Sequence, residues 1–168
     1  MLLVGINPGM RSGTVGHHFA GNGNPFWRLL HAAKLTPVLI EYADDQRLAT
    51  FRIGLTNLCP RTTRTAAELT RDEIARWKPR VVAFVGVSLY PLYFARRGPG
   101  GGPGEKPDVI SGARVFVVPN PSGLNASYPG FAHKLVWFVK LRKFVDRVTA
   151  ARDASDRVVT AAPAPLIT

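Results

Sequence analysis

The sequence has little of three features that would each point to a different class of protein. Cysteine occurs once, at Cys59, which excludes an intrachain disulfide and a cysteine cluster for iron–sulfur or structural zinc. No apolar run is long enough to cross a bilayer, because Pro91 and Tyr93 interrupt the best stretch, 81–95. The first residues also lack the basic and apolar segments of an export signal. We therefore expect a cytoplasmic protein that meets no membrane.

Acidic residues are few and unevenly placed. The chain has 22 Lys and Arg against 11 Asp and Glu, and neither 1–40 nor 109–145 contains an acid. Sixteen of the 22 cations are arginines, whose planar guanidinium suits phosphate. A carboxylate would repel a phosphate backbone at close range. This distribution predicts a polyanionic partner, and a charge unrelated to function is the alternative.

Short apolar runs alternate with helix-like segments along the chain. This order predicts an α/β fold, a three-layer α/β/α sandwich around a mostly parallel sheet of four to five strands. Predicted strands are 2–6, 52–56, 80–86 and 113–118. Predicted helices are 25–33 capped by Asn24, a weaker one at 44–51, one after the capping box 70–73, one from Ser88, and 130–149, while the glycine-rich 98–104 is a loop. Residues 1–149 form the predicted domain, and the Ala/Pro-rich tail 150–168 is expected to be poorly ordered.

Two Asn-Pro turns each follow a predicted strand directly. They are GINPG at 5–9 and NPSGLN at 120–125. Ligands of an open α/β sheet bind outside the carboxyl ends of the strands, so both turns should lie at one edge. Glycines after Asn7 let the main chain approach a ligand, and the carboxamide offers a donor and an acceptor. Neither turn matches a P-loop or a dinucleotide fingerprint, and a single Asn-Pro-Gly turn would fit a structural role better than a functional one.

Four segments in this order and at these separations carry a resemblance to a known family. GINPG, GHHFAGNGNPFW, GLTNL and PNPSGLN resemble the mismatch-specific uracil/thymine DNA glycosylases of the uracil-DNA glycosylase superfamily, over residues 2–145. The resemblance implies an enzyme that flips uracil, or mispaired thymine or etheno-cytosine, out of duplex DNA and hydrolyses its N-glycosidic bond. It implies no cofactor and no metal. The implied partner is double-stranded DNA with a G·U or related mismatch, bound by a monomer associated with the nucleoid.

The resemblance also implies a role for individual residues. Asn7 positions the attacking water, and Phe19 stacks on the flipped base. The main chain around Ile6 and His17 hydrogen-bonds the pyrimidine edge, with His18 beside it. The residues implied to contact DNA are the wedge and opposite-base residues Gly123, Leu124 and Asn125 and the phosphate-binding residues Ser122 and Arg11.

These residue types suit the implied reaction. Negative charge gathers on the departing base during glycosidic cleavage, so hydrogen-bond donors aimed at the base lower the barrier. The Asn7 carboxamide orients water but cannot accept its proton, and no general base is visible near the motifs. We therefore expect slow chemistry that depends on the acidity of the leaving base. Lys134, Lys140 and Lys143 lie on a predicted helix with nothing to mark a Schiff-base nucleophile, which predicts a monofunctional glycosylase.

Other interpretations compete with this one. The chain could be a non-catalytic binder of mismatched or damaged DNA on the same fold, or a small-molecule α/β enzyme with an incidental basic charge. His17 and His18 could ligate a metal, but two adjacent histidines without a nearby acid or cysteine make a poor site. Without the resemblance, Phe19 would be assigned to the core.

Overall fold

Five strands form one sheet in the computed structural model, which describes residues 1–6, 10–21, 23–58, 69–98, 100–123 and 125–160, with the backbone alone for 10, 11 and 158–160. The strand order is β2-β1-β3-β5-β4, and all neighbours are parallel except the antiparallel pair of β4 and β5. The strands are β1 (Leu2–Gly5), β2 (Gly54–Asn57), β3 (Val81–Val85), β4 (Gly104–Ile110) and β5 (Ala113–Val118). The predicted mostly parallel sheet is confirmed.

Helices lie on both faces of the sheet, which makes the predicted three layers. They are α1 (Met10–Val15), α2 (Phe26–Ala32), α3 (Arg71–Trp77), α4 (Leu89–Tyr93) and α5 (Gly130–Thr160), together with a 3₁₀ segment, Tyr42–Phe51. Helices α2 and α5 contribute to the core on one face, and α3 and α4 contribute to the core on the other. Among the described helices, none is both long and apolar enough to span a membrane.

The central strand β3 shows why the apolar runs are continuous. Val81, Ala83 and Val85 belong to one core, whereas Val82 and Phe84 belong to the other. Successive side chains of a strand point to opposite faces, so a strand covered by helices on both sides has no polar face. All five residues are almost completely buried.

The helix predicted at 25–33 forms as Phe26–Ala32, but its N-cap position is Pro25 and not the predicted Asn24, and Pro25 provides no side-chain cap. Asn24 Oδ1 accepts the Phe26 backbone N–H at 3.0 Å, and the helix continues to Ala32. The Leu29 N–H donates to the Pro25 carbonyl, which is the first hydrogen bond of the helix. Proline is tolerated at this position because a backbone N–H there would have no partner within the helix. The phenyl ring of Phe26 is thereby fixed in the core, with no exposed surface.

Two elements differ from the sequence prediction. The segment 10–15, which lies between the predicted strand 2–6 and the predicted helix 25–33 and has no predicted regular structure, is helix α1. Strand β4 begins at Gly104 and was not predicted, because its charged and proline-containing sequence GEKPDVI is typical of an exposed segment. A register shift between Lys106 and Val109 accommodates Pro107 at this sheet edge, where a missing N–H is tolerated.

Helix α5 is also longer than predicted. It continues through Thr160, so residues 150–160, assigned from the sequence to the tail, are helical. Arg80 donates to the Thr149 carbonyl at 3.2 Å and forms an ion pair with Asp153 at 2.6 Å. These contacts join the extension to the end of the sheet from which β3 starts.

The glycine-rich segment before β4 is held by a single lysine. Lys106 Nζ donates to the carbonyls of Gly102 at 2.7 Å and Gly100 at 3.3 Å, and it lies 5.1 Å from the ring centroid of Tyr90. The Tyr90 hydroxyl donates to Asp108, and Arg96 bonds both of these residues. The described part of the loop is therefore a structural connection on the α4 side of the sheet.

Candidate functional site

The carboxyl ends of four parallel strands meet at one edge of the sheet. Strand β1 has β2 on one side and β3 on the other, so the direction in which strands are added to the sheet reverses at β1. Open α/β sheets bind ligands at such a reversal. The strands that lead into the two Asn-Pro turns, β1 and β5, both end at this edge, as predicted, while residues 7–9 of the first turn lie outside the described residues. The two strands are separated by β3, so the turns start two strand spacings apart, about 10 Å.

The Phe19 ring lies beside the end of β1. It stacks on the buried Phe26 ring with 3.8 Å between centroids and an interplanar angle of 19°. Its Cζ is 3.4 Å from the point that a Cβ on Gly5 would occupy. Phe19 is half-buried and adopts a left-handed backbone, with φ of 51°, which costs a non-glycine residue about 1 kcal/mol. The ring is therefore placed at the site by its surroundings against the preference of its backbone.

Asn57 completes this corner of the site, although the sequence analysis did not place it there. It is paired with Gly5 in the register of β1 and β2, and its Oδ1 is 2.5 Å from the Cβ position of that glycine. The sequence feature that could have identified Asn57 is its position directly after the predicted strand 52–56, which becomes the neighbour of β1. A glycine at position 5 leaves room for the carboxamide beside the Phe19 ring.

The loop that carries the two histidines is tied to a carboxylate from the 3₁₀ segment. Asp45 Oδ2 accepts the His18 backbone N–H at 3.1 Å and contacts the His18 Nδ1 at 3.2 Å, while Oδ1 contacts the His17 Nδ1 at 3.3 Å. The expected acid-free surroundings of these histidines are therefore wrong. The carboxylate is distant in sequence, and nothing in the motif pattern marks it.

The protonation state of Asp45 follows from these contacts. Burial alone raises the pKa of its carboxyl, but hydrogen bonds from the His18 backbone, the His18 ring and the His17 ring outweigh burial. They hold the pKa below the ordinary value of 3.8, so Asp45 is ionised at neutral pH. Within the described part of the chain, no group of three or more His, Cys, Asp or Glu is arranged to hold a metal ion.

The second turn is braced by its own side chains. Asn120 Oδ1 accepts the Ser122 backbone N–H at 2.9 Å, and the Asn125 carboxamide donates to the Asn120 carbonyl at 2.9 Å. Asn125 N–H also bonds the Ser122 carbonyl at 3.1 Å. Gly123 is exposed at the tip. The asparagines therefore maintain the shape of the described part of the turn, residues 120–123 and 125.

Several predicted site residues lie outside this description. Asn7 and Leu124 are not among the described residues, and Arg11 is described by its backbone alone, in α1. Ile6 directly follows β1, and 44 % of its surface is exposed. The described residues that the fold brings to this edge are Ile6, His17, His18, Phe19, Asn57, Ser122, Gly123 and Asn125.

A groove of about 620 Å³ lies elsewhere, at the edge from which β1 and β3 start. Two of its arginines are already paired, Arg80 with Asp153 and Arg142 with Asp146. It is lined by the opposite ends of the strands from those that carry the Asn-Pro turns. We do not assign the groove to the functional site.

The fold and the site together define an α/β protein with a half-buried aromatic ring and an amide at the strand ends of its topological switch point. The chain belongs to the uracil DNA glycosylase superfamily, whose family model matches residues 1–144. Membership assigns it to the DNA glycosylases, which are hydrolases of DNA repair, and makes DNA its partner. The superfamily suggests uracil as the base that is removed.

Proposed function

We propose that the protein is a monofunctional, mismatch-specific glycosylase that removes uracil paired with guanine in double-stranded DNA. Thymine and etheno-cytosine are the further candidate bases. The observation that carries the proposal is the Phe19 ring, which is stacked on Phe26 and lies against Gly5 beside the Asn57 carboxamide. An aromatic ring next to an amide is suited to a nucleobase, which presents a flat face and a polar edge.

The proposed reaction starts with base flipping. Extruding a nucleotide costs a few kcal/mol of pairing and stacking, which is partly recovered when the base stacks on Phe19. The backbone at Ile6 and His17 hydrogen-bonds the pyrimidine edge, with His18 beside it. The His18 N–H is engaged by Asp45, so donors for the base come from other groups of this edge.

Hydrolysis then needs a water and a leaving base. The Asn7 carboxamide directs the water toward the sugar carbon, and the base departs with negative charge that nearby donors stabilise. The absence of a positioned proton acceptor is part of the proposal, and it predicts slow turnover. Lys134 is only 1 % exposed, and Lys140 Nζ lies over the Trp137 ring at 4.1 Å, which supports a mechanism without a lysine Schiff base.

The turn at 120–125 is proposed to act on the DNA rather than on the flipped base. The apolar side chain of Leu124 fills the gap in the stack, while Gly123 and Asn125 face the opposite guanine. Ser122 and Arg11 hold phosphates nearby. The separation of about 10 Å between the ends of β1 and β5 suits a flipped nucleotide on one side and the remaining duplex on the other. The proposed enzyme works as a monomer at the nucleoid, without a cofactor or metal.

The test is an excision assay with excess protein and a G·U duplex, followed by alkaline cleavage of abasic sites. We expect alkali-labile product at the uracil, and a panel with thymine and etheno-cytosine ranks the substrates. Asn7→Ala should abolish product while duplex binding persists. Binding without product in the native protein would favour the rival function, a non-catalytic binder of mismatched DNA.

A second variant tests the wedge. Leu124→Ala should slow excision from duplex DNA much more than from single-stranded DNA, because only a duplex leaves a gap to be filled. The same alkali assay measures both substrates. An equal effect on the two would exclude Leu124 as the wedge.

A further inference from the structure

The loop from His17 to Ala20 is fixed at two backbone positions that flank Phe19. The His18 N–H donates to Asp45 Oδ2 at 3.1 Å, and the Ala20 N–H donates to the Ser12 hydroxyl at 3.0 Å. Ser12 lies on α1 and is 8 % exposed, and the Asp45 side chain is 9 % exposed. The bond to Ser12 is buried and the bond to Asp45 is part-buried, so water has limited access to both.

These two bonds hold a residue that would otherwise relax. Phe19 has φ of 51°, and a left-handed conformation persists in a residue with a side chain only where its neighbours enforce it. The ring must also remain parallel to Phe26 and close to Gly5. The loop therefore needs a hydrogen bond on each side of Phe19. Asp45 accepts the one at His18, and it belongs to a segment of the chain that is distant in sequence.

The same carboxylate sets the protons on both histidines. An ionised carboxylate only accepts hydrogen bonds, so each Nδ1 that contacts Asp45 carries a proton. In the neutral ring, the Nε2 of each histidine is then an acceptor. One buried group thus fixes two ring tautomers and one backbone amide.

We propose that Asp45 is a positioning residue of the base-binding site, holding His17 and His18 in the Nδ1–H tautomer and Phe19 in its stacked, left-handed conformation. The inference rests on the proposed glycosylase function. Asp45 acts through the loop and does not itself touch the base. Its neighbours in the 3₁₀ segment are Tyr42, whose ring is 6.2 Å from that of His17, and the ion pair of Asp44 and Arg47.

The chain offers a matched control in the adjacent carboxylate. The Asp44 side chain is 55 % exposed and pairs with Arg47 at 3.7 Å, so it shares the charge and the segment of Asp45 without the contacts to the loop. Asp45→Asn keeps the size and shape of the side chain. Its amide N–H, however, would face one of the N–H donors that the carboxylate accepts in the native protein. Asp45→Ala removes every acceptor.

The experiment measures the single-turnover excision rate on a G·U duplex, the affinity for the same duplex and the melting temperature. We expect the rate of Asp45→Asn to fall roughly 10- to 100-fold, the loss that small displacements of reacting groups cause. Affinity should change less than the rate, and Asp44→Asn should match the native protein. Asp45 variants as active as the native protein would overturn the inference and leave the proposed function intact.

A second measurement does not depend on the folding of a variant. Imidazole ¹⁵N NMR of the native protein should show the proton on Nδ1 of both His17 and His18. A proton on Nε2 in both rings would overturn the role of Asp45. If the native protein yields no alkali-labile product, both the proposed function and this role of Asp45 are wrong. If the native protein is active and Asp45→Asn is equally active, only the role of Asp45 is wrong.

Discussion

At the scale of single residues, the lack of a side chain at position 5 has a direct consequence for the site. Gly5 ends β1 in an ordinary extended conformation, so glycine is needed there for space and not for its backbone freedom. The Asn57 Oδ1 occupies the space that a Cβ would take, and the Phe19 ring lies in van der Waals contact with the same point. The close approach of three different segments therefore depends on one missing methyl group.

This closeness makes Gly5→Ala a test of the site that leaves the core untouched. The new methyl group would meet the end of the Asn57 side chain, which can rotate away at little cost to stability. We expect excision from a G·U duplex to fall roughly 100-fold while the melting temperature changes little, because a displacement of about 1 Å is enough for such a loss. Excision kinetics and thermal unfolding measure the two effects.

Gly13→Ala is the matched control, since a Cβ at that position in α1 has nothing within 4 Å. Alanine favours a helix over glycine by roughly 0.5–1 kcal/mol, so this variant should be at least as stable as the native protein. Full excision activity in Gly5→Ala would show that the position of Asn57 does not matter for the reaction.

At the scale of elements, α3 shows how a short sequence signal fixes the start of a helix. The Thr70 hydroxyl accepts the Glu73 backbone N–H at 3.2 Å, and Glu73 Oε2 accepts the Thr70 backbone N–H at 2.7 Å. The predicted capping box is confirmed. The helix brings Ile74 into the core on one face of the sheet, whereas Thr70 and Glu73 are exposed and outside the predicted set of site residues.

Removing this cap should therefore affect stability alone. Thr70→Ala is expected to lower the free energy of unfolding by about 1 kcal/mol, the usual value for an N-cap hydroxyl. Urea denaturation measures the loss, and the excision rate at 25 °C should stay at the native level. Thr50→Ala is the control, because the Thr50 hydroxyl donates to the Arg47 carbonyl without capping a helix. Equal losses in the two variants would contradict a specific role for the cap.

The same box predicts how stability depends on pH. Hydrogen bonds from the Thr70 backbone and hydroxyl hold the pKa of Glu73 below its ordinary value of 4.5. Because the pKa is depressed in the folded state, the stabilisation is present above pH 4.5 and is lost as the pH falls through the folded-state pKa.

The matching variant is Glu73→Gln, which removes the titrating group. Its stability should decline less than that of the native protein as the solution is acidified from neutral pH to below 4.5. Urea denaturation across this range tests the difference, with Asp72→Asn as a control in the same helical turn but outside the box. If the stability of Glu73→Gln falls with pH as much as that of the native protein, Glu73 does not contribute to the pH dependence of stability.

At the scale of the whole molecule, we expect the positive charge to set the strength of DNA binding. The formal net charge is +11, and the acid-free segments 1–40 and 109–145 include both Asn-Pro turns. Asp45 does enter this region, but it is mostly buried and faces two histidines. Its oxygens are engaged by the His18 backbone and both rings, and its single negative charge is small beside the net charge of +11.

Affinity for duplex DNA should consequently fall steeply with salt. If six or more phosphates are contacted, the association constant for an unmodified G·C duplex should drop roughly 10³-fold or more between 50 and 200 mM salt. Fluorescence anisotropy of a labelled duplex measures the slope. Indifference to salt would contradict a phosphate-binding surface and favour the small-molecule enzyme among the alternatives.

The sequence by itself determined the class of fold and the sheet edge at which the candidate site is expected. Continuous apolar runs require burial on both faces, Pro25 and the box at Thr70 mark the starts of two helices, and the Asn-Pro turns mark the ends of parallel strands. These signals are local, because each depends on residues within a few positions of one another. Such local signals are sufficient to define the class of fold without any tertiary contact.

Only the tertiary structure decided which side chains from distant segments meet at that edge. Asp45 contacts His18 across 27 positions, and Asn57 reaches Gly5 through the pairing of two strands. It also decided that β4 forms and that α5 extends to Thr160. Partners for a buried carboxylate, an edge strand or a helix end are selected by packing in three dimensions, and a linear pattern carries no record of that choice.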